Sequence, residues 1–300
     1  MQQSLIGATL DGPKIGSMKA SAFLAMDFFG GGPQLSYAYA RLDGERSGFE
    51  VGQDDMILAP NNPTSLGTKA SPLFYGSGNL FSRRPQIRAE RVLATGDFGE
   101  IRAVGGIVAL ADSFFVGAVR TGGRMPGLQA RLSWRALPER PNGKPKWELG
   151  ASGHYSREGN VPAFVGAVGA PDMPSWAAAF DFNATRGRFG TGGEIFLGRN
   201  IDAFRGSVGQ GAKSWGGFLE ARLAATQRLS FNGGYGTDRL FDLARFPATF
   251  SGDSSAFGNT IYQFTPEFSS SIEYRWLGTK LFATEVRRDH ELRLVFAYSF

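Results

Sequence analysis

The C-terminal segment His290–Phe300 (HELRLVFAYSF) alternates without a break. Leu292, Leu294, Phe296, Tyr298 and Phe300 fall on one parity, and Arg293, Val295, Ala297 and Ser299 on the other. Successive side chains of a strand point to opposite faces, so this segment reads as a strand with one apolar face and one small or polar face. Phe268–Leu277 repeats the design: Phe268, Ser270, Ile272, Tyr274 and Trp276 oppose Ser269, Ser271, Glu273 and Arg275. It returns in Trp215–Leu223, Trp176–Ala184, Trp147–Tyr155 and Leu128–Trp134. A chain made of such units is an all-β protein of many strands.

The connections alternate in length. Asp43-Gly44, Thr95-Gly96-Asp97, Thr185-Arg186-Gly187 and Thr265-Pro266-Glu267 are tight-turn sequences. Between them lie long Gly/Pro/Ser/Asn-rich stretches at about 59–84, 111–126, 158–173, 200–213 and 239–258. Short turns at one end and long loops at the other describe an antiparallel up-and-down meander. The pattern gives about fifteen strands, among them 48–57, 85–94, 98–110, 145–156, 174–184 and a short one at 259–265.

These strands run near ten residues, the length that crosses a bilayer at a steep tilt, whereas sandwich strands average about five or six. Their ends gather Trp134, Trp147, Tyr155, Trp176, Trp215, Tyr235, Tyr274, Trp276, Tyr298 and Phe300, as at membrane–water interfaces. By parity, Arg41, Arg88, Arg102, Arg131, Arg135, Arg222, Arg275 and Arg293 point away from the apolar face. So do Glu50, Asp54, Glu90, Glu100, Glu148, Asp181, Glu194, Glu220 and Glu273. So many charges cannot fill a dry core, because each unpaired buried ion costs several kcal/mol. They call for a wet lumen, which a barrel of fourteen or more strands provides. Paired glycines within strands (Gly105-Gly106, Gly192-Gly193, Gly216-Gly217, Gly233-Gly234) allow the curvature of closure. The expected architecture is one transmembrane antiparallel β-barrel domain spanning 1–300.

Other classes fall away. An aromatic content of 13% excludes disorder, and no run of 18 apolar residues offers a membrane helix. The absence of cysteine removes thiolate metal sites and cysteine nucleophiles, and His154 and His290 are the only histidines. No cofactor or metal is expected. Lys+Arg 32 against Asp+Glu 27 is a mixed surface without the basic block of a nucleic-acid binder. No Gly-x-Ser-x-Gly occurs, and neither histidine lies in a nucleophile motif, so both read as solvated. Gly190-Thr191-Gly192-Gly193 resembles a phosphate-loop fragment but sits inside a strand with no helix after it.

Several segments resemble the DcaP-like trimeric outer-membrane porin family of Gram-negative bacteria. They are Met26-Asp27-Phe28-Phe29-Gly30, Leu35–Leu42 (LSYAYARL), Val51-Gly52-Gln53-Asp54 and Ala59-Pro60-x-x-Pro63. Gly78-Asn79-Leu80-x-x-Arg83-Arg84-Pro85-Gln86-Ile87-Arg88, Ile272-Glu273-Tyr274-Arg275 and the final Tyr298-Ser299-Phe300 complete the set. Asp54-Asp55 after Gln53 departs from the family pattern, which has an aromatic there. The resemblance implies sixteen strands, a signal peptide and, in some members, a coiled coil before the barrel. The opening MQQSLIGATLDG shows no signal peptide, and a single-chain barrel normally has an even strand count. The expectation is therefore a chain lacking its signal and first strand.

The candidate functional element is the 59–84 loop, since a loop this long is usually functional. In trimeric porins a long loop folds into the lumen and narrows it. Lys69, Arg83 and Arg84 have no acidic counterpart in the loop, and Arg88 follows on the lumen face. Guanidinium groups bind carboxylates, and a ring of them favours anions. Arg41, Glu50, Glu90, Arg131 and Arg275 complete the candidate pore lining. The bland alternative is that these arginines pair with wall carboxylates such as Glu50 and Glu90, or contact lipopolysaccharide. The reading is a passive porin for small hydrophilic solutes, anionic or neutral, with a mild preference for anions such as dicarboxylates. Its expected partners are outer-membrane lipid, lipopolysaccharide and two further copies, through the small residues Ala20, Ala22, Ala38 and Ala40. The rivals are a scaffold or adhesin that binds through its loops, and a lipid-acting barrel enzyme.

Overall fold

In strands this long, backbone groups at membrane depth have only a neighbouring strand to bond with. The computed structural model describes residues 5–28, 32–67, 72–109, 125–137, 145–161, 170–206, 212–241, 250–281 and 286–298. They form β1 (Leu5–Ile15), β2 (Met18–Asp27), β3 (Gln34–Asp43), β4 (Ser47–Asp55), β5 (Arg83–Gly96), β6 (Gly99–Val108) and β7 (Met125–Arg135). After these come β8 (Trp147–Val161), β9 (Ala170–Arg186), β10 (Phe189–Arg199), β11 (Lys213–Ala224) and β12 (Leu229–Leu240). The last three are β13 (Phe250–Gln263), β14 (Phe268–Leu281) and β15 (Val286–Tyr298). One antiparallel sheet joins them in sequence order, with β1 and β15 as its edges. The sixteenth strand that the resemblance implies is not among the described residues.

The two faces invert the soluble pattern. Ile195, Leu219 and Ile272 are 57–63% exposed, while their sequence neighbours Glu194, Glu220 and Glu273 are at most 2% exposed. An apolar face outward and charges inward suits a bilayer and not water. The aromatic strand ends lie on the outer face: Trp134, Tyr155, Trp215, Tyr235, Tyr274 and Tyr298 are all exposed. Phe300 lies outside the described residues. The apolar core is inside the sheet, where the 56–82 loop meets the wall. One cluster joins Met56, Leu58 and Leu80 to Phe196, Ile201 and Phe204, and a second joins Leu73 and Phe74 to Phe218 and Phe257.

Three boundaries differ from the sequence pattern. β13 starts at Phe250 and not at 259, because its inner face carries Phe257 under the loop and the apolar/polar alternation is lost. β8 and β9 run on to Val161 and back from Ala170, pairing Glu158 with Met173 and Gly159 with Asp172 across a stretch that reads as loop. Gly and Pro residues there hide a ladder that backbone pairing sustains. Arg83 and Arg84 open β5, so the loop covers 56–82.

The exposure pattern makes a quantitative prediction. Leu219→Arg, on the outer face of a central strand, should cost about 2–4 kcal/mol when folding is followed by denaturant titration in phospholipid vesicles. On a water-facing surface the same change falls within about 0.5 kcal/mol. A result in that lower range would show that Leu219 does not meet lipid.

Candidate functional site

The 56–82 loop leaves the sheet between β4 and β5 and lies along its inner face as far as β14. A segment placed there has backbone groups with no strand partner, and wall side chains take that role. The Gln129 Oε1 accepts from the amides of Ile57 and Leu58 at 2.9 and 3.1 Å, and the Ser152 hydroxyl oxygen from Ala59 at 3.1 Å. The Asn61 side-chain amide donates to the carbonyls of Phe182 and Gly193 at 2.9 and 3.1 Å. Glu220 accepts from the Thr64 amide at 2.7 Å, and Glu273 from the Ser65 hydroxyl at 2.5 Å. Asn259 bridges the Thr64 carbonyl and Glu273. On the way back Ser77 meets Ser255 at 2.6 Å, and the Leu80 amide donates to Glu194 at 2.8 Å.

Fit is close along this path. Gly78 has φ of 120°, and a Cβ there would overlap the Gly217 carbonyl and the Thr237 amide. A Cβ on Gly236 would press into the Phe74 ring. The glycine-rich inner faces of β11 and β12 thus give the loop room.

A second connection clamps the first. The 3-10 turn at Asp202–Phe204 accepts the Phe81 amide on the Phe204 carbonyl at 3.0 Å and the Arg84 Nη2 on the Ala203 carbonyl at 2.7 Å. Arg205 lies 4.5 Å over the Tyr75 ring and donates to its hydroxyl. Burial pushes the Tyr75 phenol above its ordinary value and the Arg205 guanidinium below its own.

On the wall the charges form a ladder. Arg41 bonds Asp43 at 2.7 Å, Glu50 at 3.3 Å, and Glu90. Arg88 bonds Glu50 at 2.7 Å and Asp54 at 2.8 Å. Arg102 links Glu90 and Glu100, and Arg135 joins Glu100 at 2.7 Å. Arg131 grips Asp181 with two bonds, at 2.6 and 3.0 Å, and reaches Glu148 at 2.9 Å. Arg275 pairs with Glu273 at 2.7 Å. The side chains of Arg41, Arg88 and Arg102 are 18–27% exposed; of the carboxylates, Glu50 and Asp181 are 1% exposed, but Asp43 and Glu148 are 46% and 25% exposed.

The candidates therefore separate by place. Arg41, Glu50, Arg88 and Glu90 share one network, Arg131 stands in a separate group with Glu148 and Asp181, and Arg275 stands on β14 beside the far part of the loop. Arg83 and Arg84 sit at the loop's base: Arg83 bonds Asp55 at 3.1 Å and lies over Tyr37 at 4.3 Å. Arg88 takes the wall-carboxylate pairing with Glu50. Lys69 lies outside the described residues. His154 corrects an expectation: it is 4% exposed, packed 4.6 Å from Phe204 and 3.1 Å from the Ser156 hydroxyl. Phe204, carried by the second loop, seals it from water. Ser156 is itself fully buried, so this serine–histidine pair offers no substrate a nucleophile. His290 is exposed and bonds Tyr274 at 2.6 Å. The wall anchors Gln129 and Ser152 are not legible as such, since polar residues of inner parity read equally as water-facing.

No protein-family model and no curated protein matches the chain. Solved structures do. The outer membrane channel DcaP of Acinetobacter baumannii superposes with a TM-score of 0.79 at 16% identity, over 100% of this chain and 85% of that one. The chain has the fold of an outer-membrane porin. An anion-selective porin from Comamonas acidovorans gives 0.69 at 12% identity, over 99% and 90%. OmpT, an outer membrane protein of Vibrio cholerae, gives 0.63 at 10%, over 99% and 90%. In this porin fold the described loop on the inner wall reaches from β4–β5 to partners on β14.

The anchors can be read one at a time. Glu194→Ala leaves the Leu80 amide without its acceptor, a loss of about 1–3 kcal/mol. Hydrogen exchange at Leu80 should then quicken roughly ten- to a hundredfold while the β10–β11 ladder stays protected. Unchanged exchange at Leu80 would mean that Glu194 does not hold the loop.

Proposed function

We propose that the protein is an outer-membrane porin, a passive diffusion channel for small hydrophilic solutes. The observation that carries this is the described part of the 56–82 loop, bonded along the inner wall from β7 to β14; in this reading it narrows the lumen. Channel opening needs no cofactor or energy source. Discrete conductance steps in planar bilayers test the reading, and a scaffold or adhesin would give none. The homotrimer belongs to the same proposal, packed through the Ala20, Ala22, Ala38 and Ala40 face, with lipid and lipopolysaccharide around it. Crosslinking that yields only monomer from detergent extracts would remove the trimer.

Within this reading the pore prefers anions mildly, dicarboxylates among them. Support comes from Glu50, which is 1% exposed beneath Arg41 and Arg88, whose side chains are 23% and 18% exposed. The narrow part counts most, because low-dielectric walls focus the field there. Arg88, Arg41 and Arg102 are the wall residues assigned to this role. Arg83 and Arg84 act from the base of the loop, and the sequence adds Lys69 to the same role. Replacing Arg41, Arg88 and Arg102 with Gln should move the reversal potential in a salt gradient toward cation preference and slow dicarboxylate uptake into liposomes. The shift should shrink in molar salt, where the Debye length is about 3 Å. An unmoved reversal potential at low salt would exclude these arginines from the narrowest part.

A further inference from the structure

The inner face of β14 breaks its own rule at Leu277. Ser271, Glu273 and Arg275 share its parity, yet Leu277 is apolar and 39% exposed. It lines a cavity of about 200 Å³ between the loop and β13–β15, opposite Phe74 and Phe257. Those two rings stand 5.3 Å apart, edge to face, and close the apolar side. Arg275, Arg293 and Glu291 form the polar side.

The two guanidiniums differ in what they leave free. Arg275 gives its Nε to Glu273 at 2.7 Å, and Arg293 gives its Nε to Glu291 at 2.5 Å. Among the described residues, neither terminal nitrogen of Arg293 has a hydrogen-bond partner. Register sets Glu273 opposite Arg293 and Arg275 opposite Glu291, so the two arginines are diagonal neighbours on one face. An anion bonded by the free edge of Arg293 would gain a charge-assisted, two-pronged contact. Its apolar body would cover Leu277, Phe74 and Phe257, in the usual manner of small-molecule sites. Glu291, 37% exposed at the rim, repels a second negative charge on the ligand.

We infer that this cavity is a binding subsite for a small monocarboxylate with an apolar body, such as an aromatic acid. The inference adds to the general anion preference proposed above a site that takes one carboxylate and not two, so it rests on the porin reading only for its place in a permeation path. Calorimetry on the folded protein in detergent tests it without any conductance. Benzoate should bind at least tenfold more tightly than acetate, which lacks the ring, and than phthalate, which adds a second carboxylate. Arg293→Gln should weaken benzoate at least tenfold. Leu277→Ser, at an exposed position that folding tolerates, should weaken it severalfold. Equal affinities for benzoate and acetate, or a benzoate affinity that neither variant changes, would overturn the subsite. Bilayer conductance in potassium chloride alone tests the porin reading separately: steps without benzoate binding remove only the subsite, and binding without steps removes only the porin.

Discussion

A loop that lies inside a sheet must bond its backbone to something other than a strand, and that requirement organises the interior of this molecule. Among the described residues the strands from β2 to β14 pair on both sides, so the wall beneath the loop offers it few main-chain groups beyond carbonyls that can accept twice. Side chains fill the gap. Gln129, Ser152, Glu220 and Glu194 accept main-chain N–H groups, and Asn61 and Asn259 donate to carbonyls. An unmade bond of this kind costs about 1–3 kcal/mol when buried, more than a made bond contributes on average. The anchors therefore act mainly by removing every alternative resting place for the loop.

The same requirement explains why Glu50 and Asp181 lie deep with arginines over them. A carboxylate accepts only, on two oxygens, and is short enough to lie against the strand that carries it. A guanidinium has five donors at the end of a long stem, so it reaches across to carboxylates on neighbouring strands while its edge remains in water. Arg41 spans Asp43, Glu50 and Glu90 in this way, and Arg131 spans Glu148 and Asp181. A count of charges by parity alone gives near balance and misses this layering.

The outer face of the wall is legible in the sequence because lipid contact imposes one rule at every other position. Ile195, Leu219 and Ile272 stand out by that rule, and so do the aromatic ends. The inner face obeys no single rule, since some of it meets water and some meets the loop. Phe257 and Leu277 look like breaks in a pattern, yet both face the loop or its cavity. His154 reads as solvated for the same reason: nothing local to 154 tells that Phe204, fifty residues on, will cover it. Gly217, Gly234 and Gly236 do mark the path of the loop, where the sequence suggests only curvature. A contact between distant segments leaves small residues as its trace, and that trace is ambiguous until the partner is known.

Lipid side and lumen side are thus nearly independent layers of one sheet, and they meet at a few residues. Arg102 touches Glu90 and Glu100 and makes no described bond to the loop, so its charge stands apart from the loop's anchoring. Glu273 is different. It accepts from Ser65 on the loop, from Asn259 on β13 and from Arg275 beside the apolar cavity. Groups that share a partner couple, by about 0.5–3 kcal/mol in measured cases, while distant ones add. Loop position, cavity shape and the orientation of Arg275 are therefore one variable at Glu273, whereas the ladder on β3–β6 is another. That division lets the wall charge vary without loosening the loop, and it confines the link between loop and cavity to the strands at the far end of the sheet.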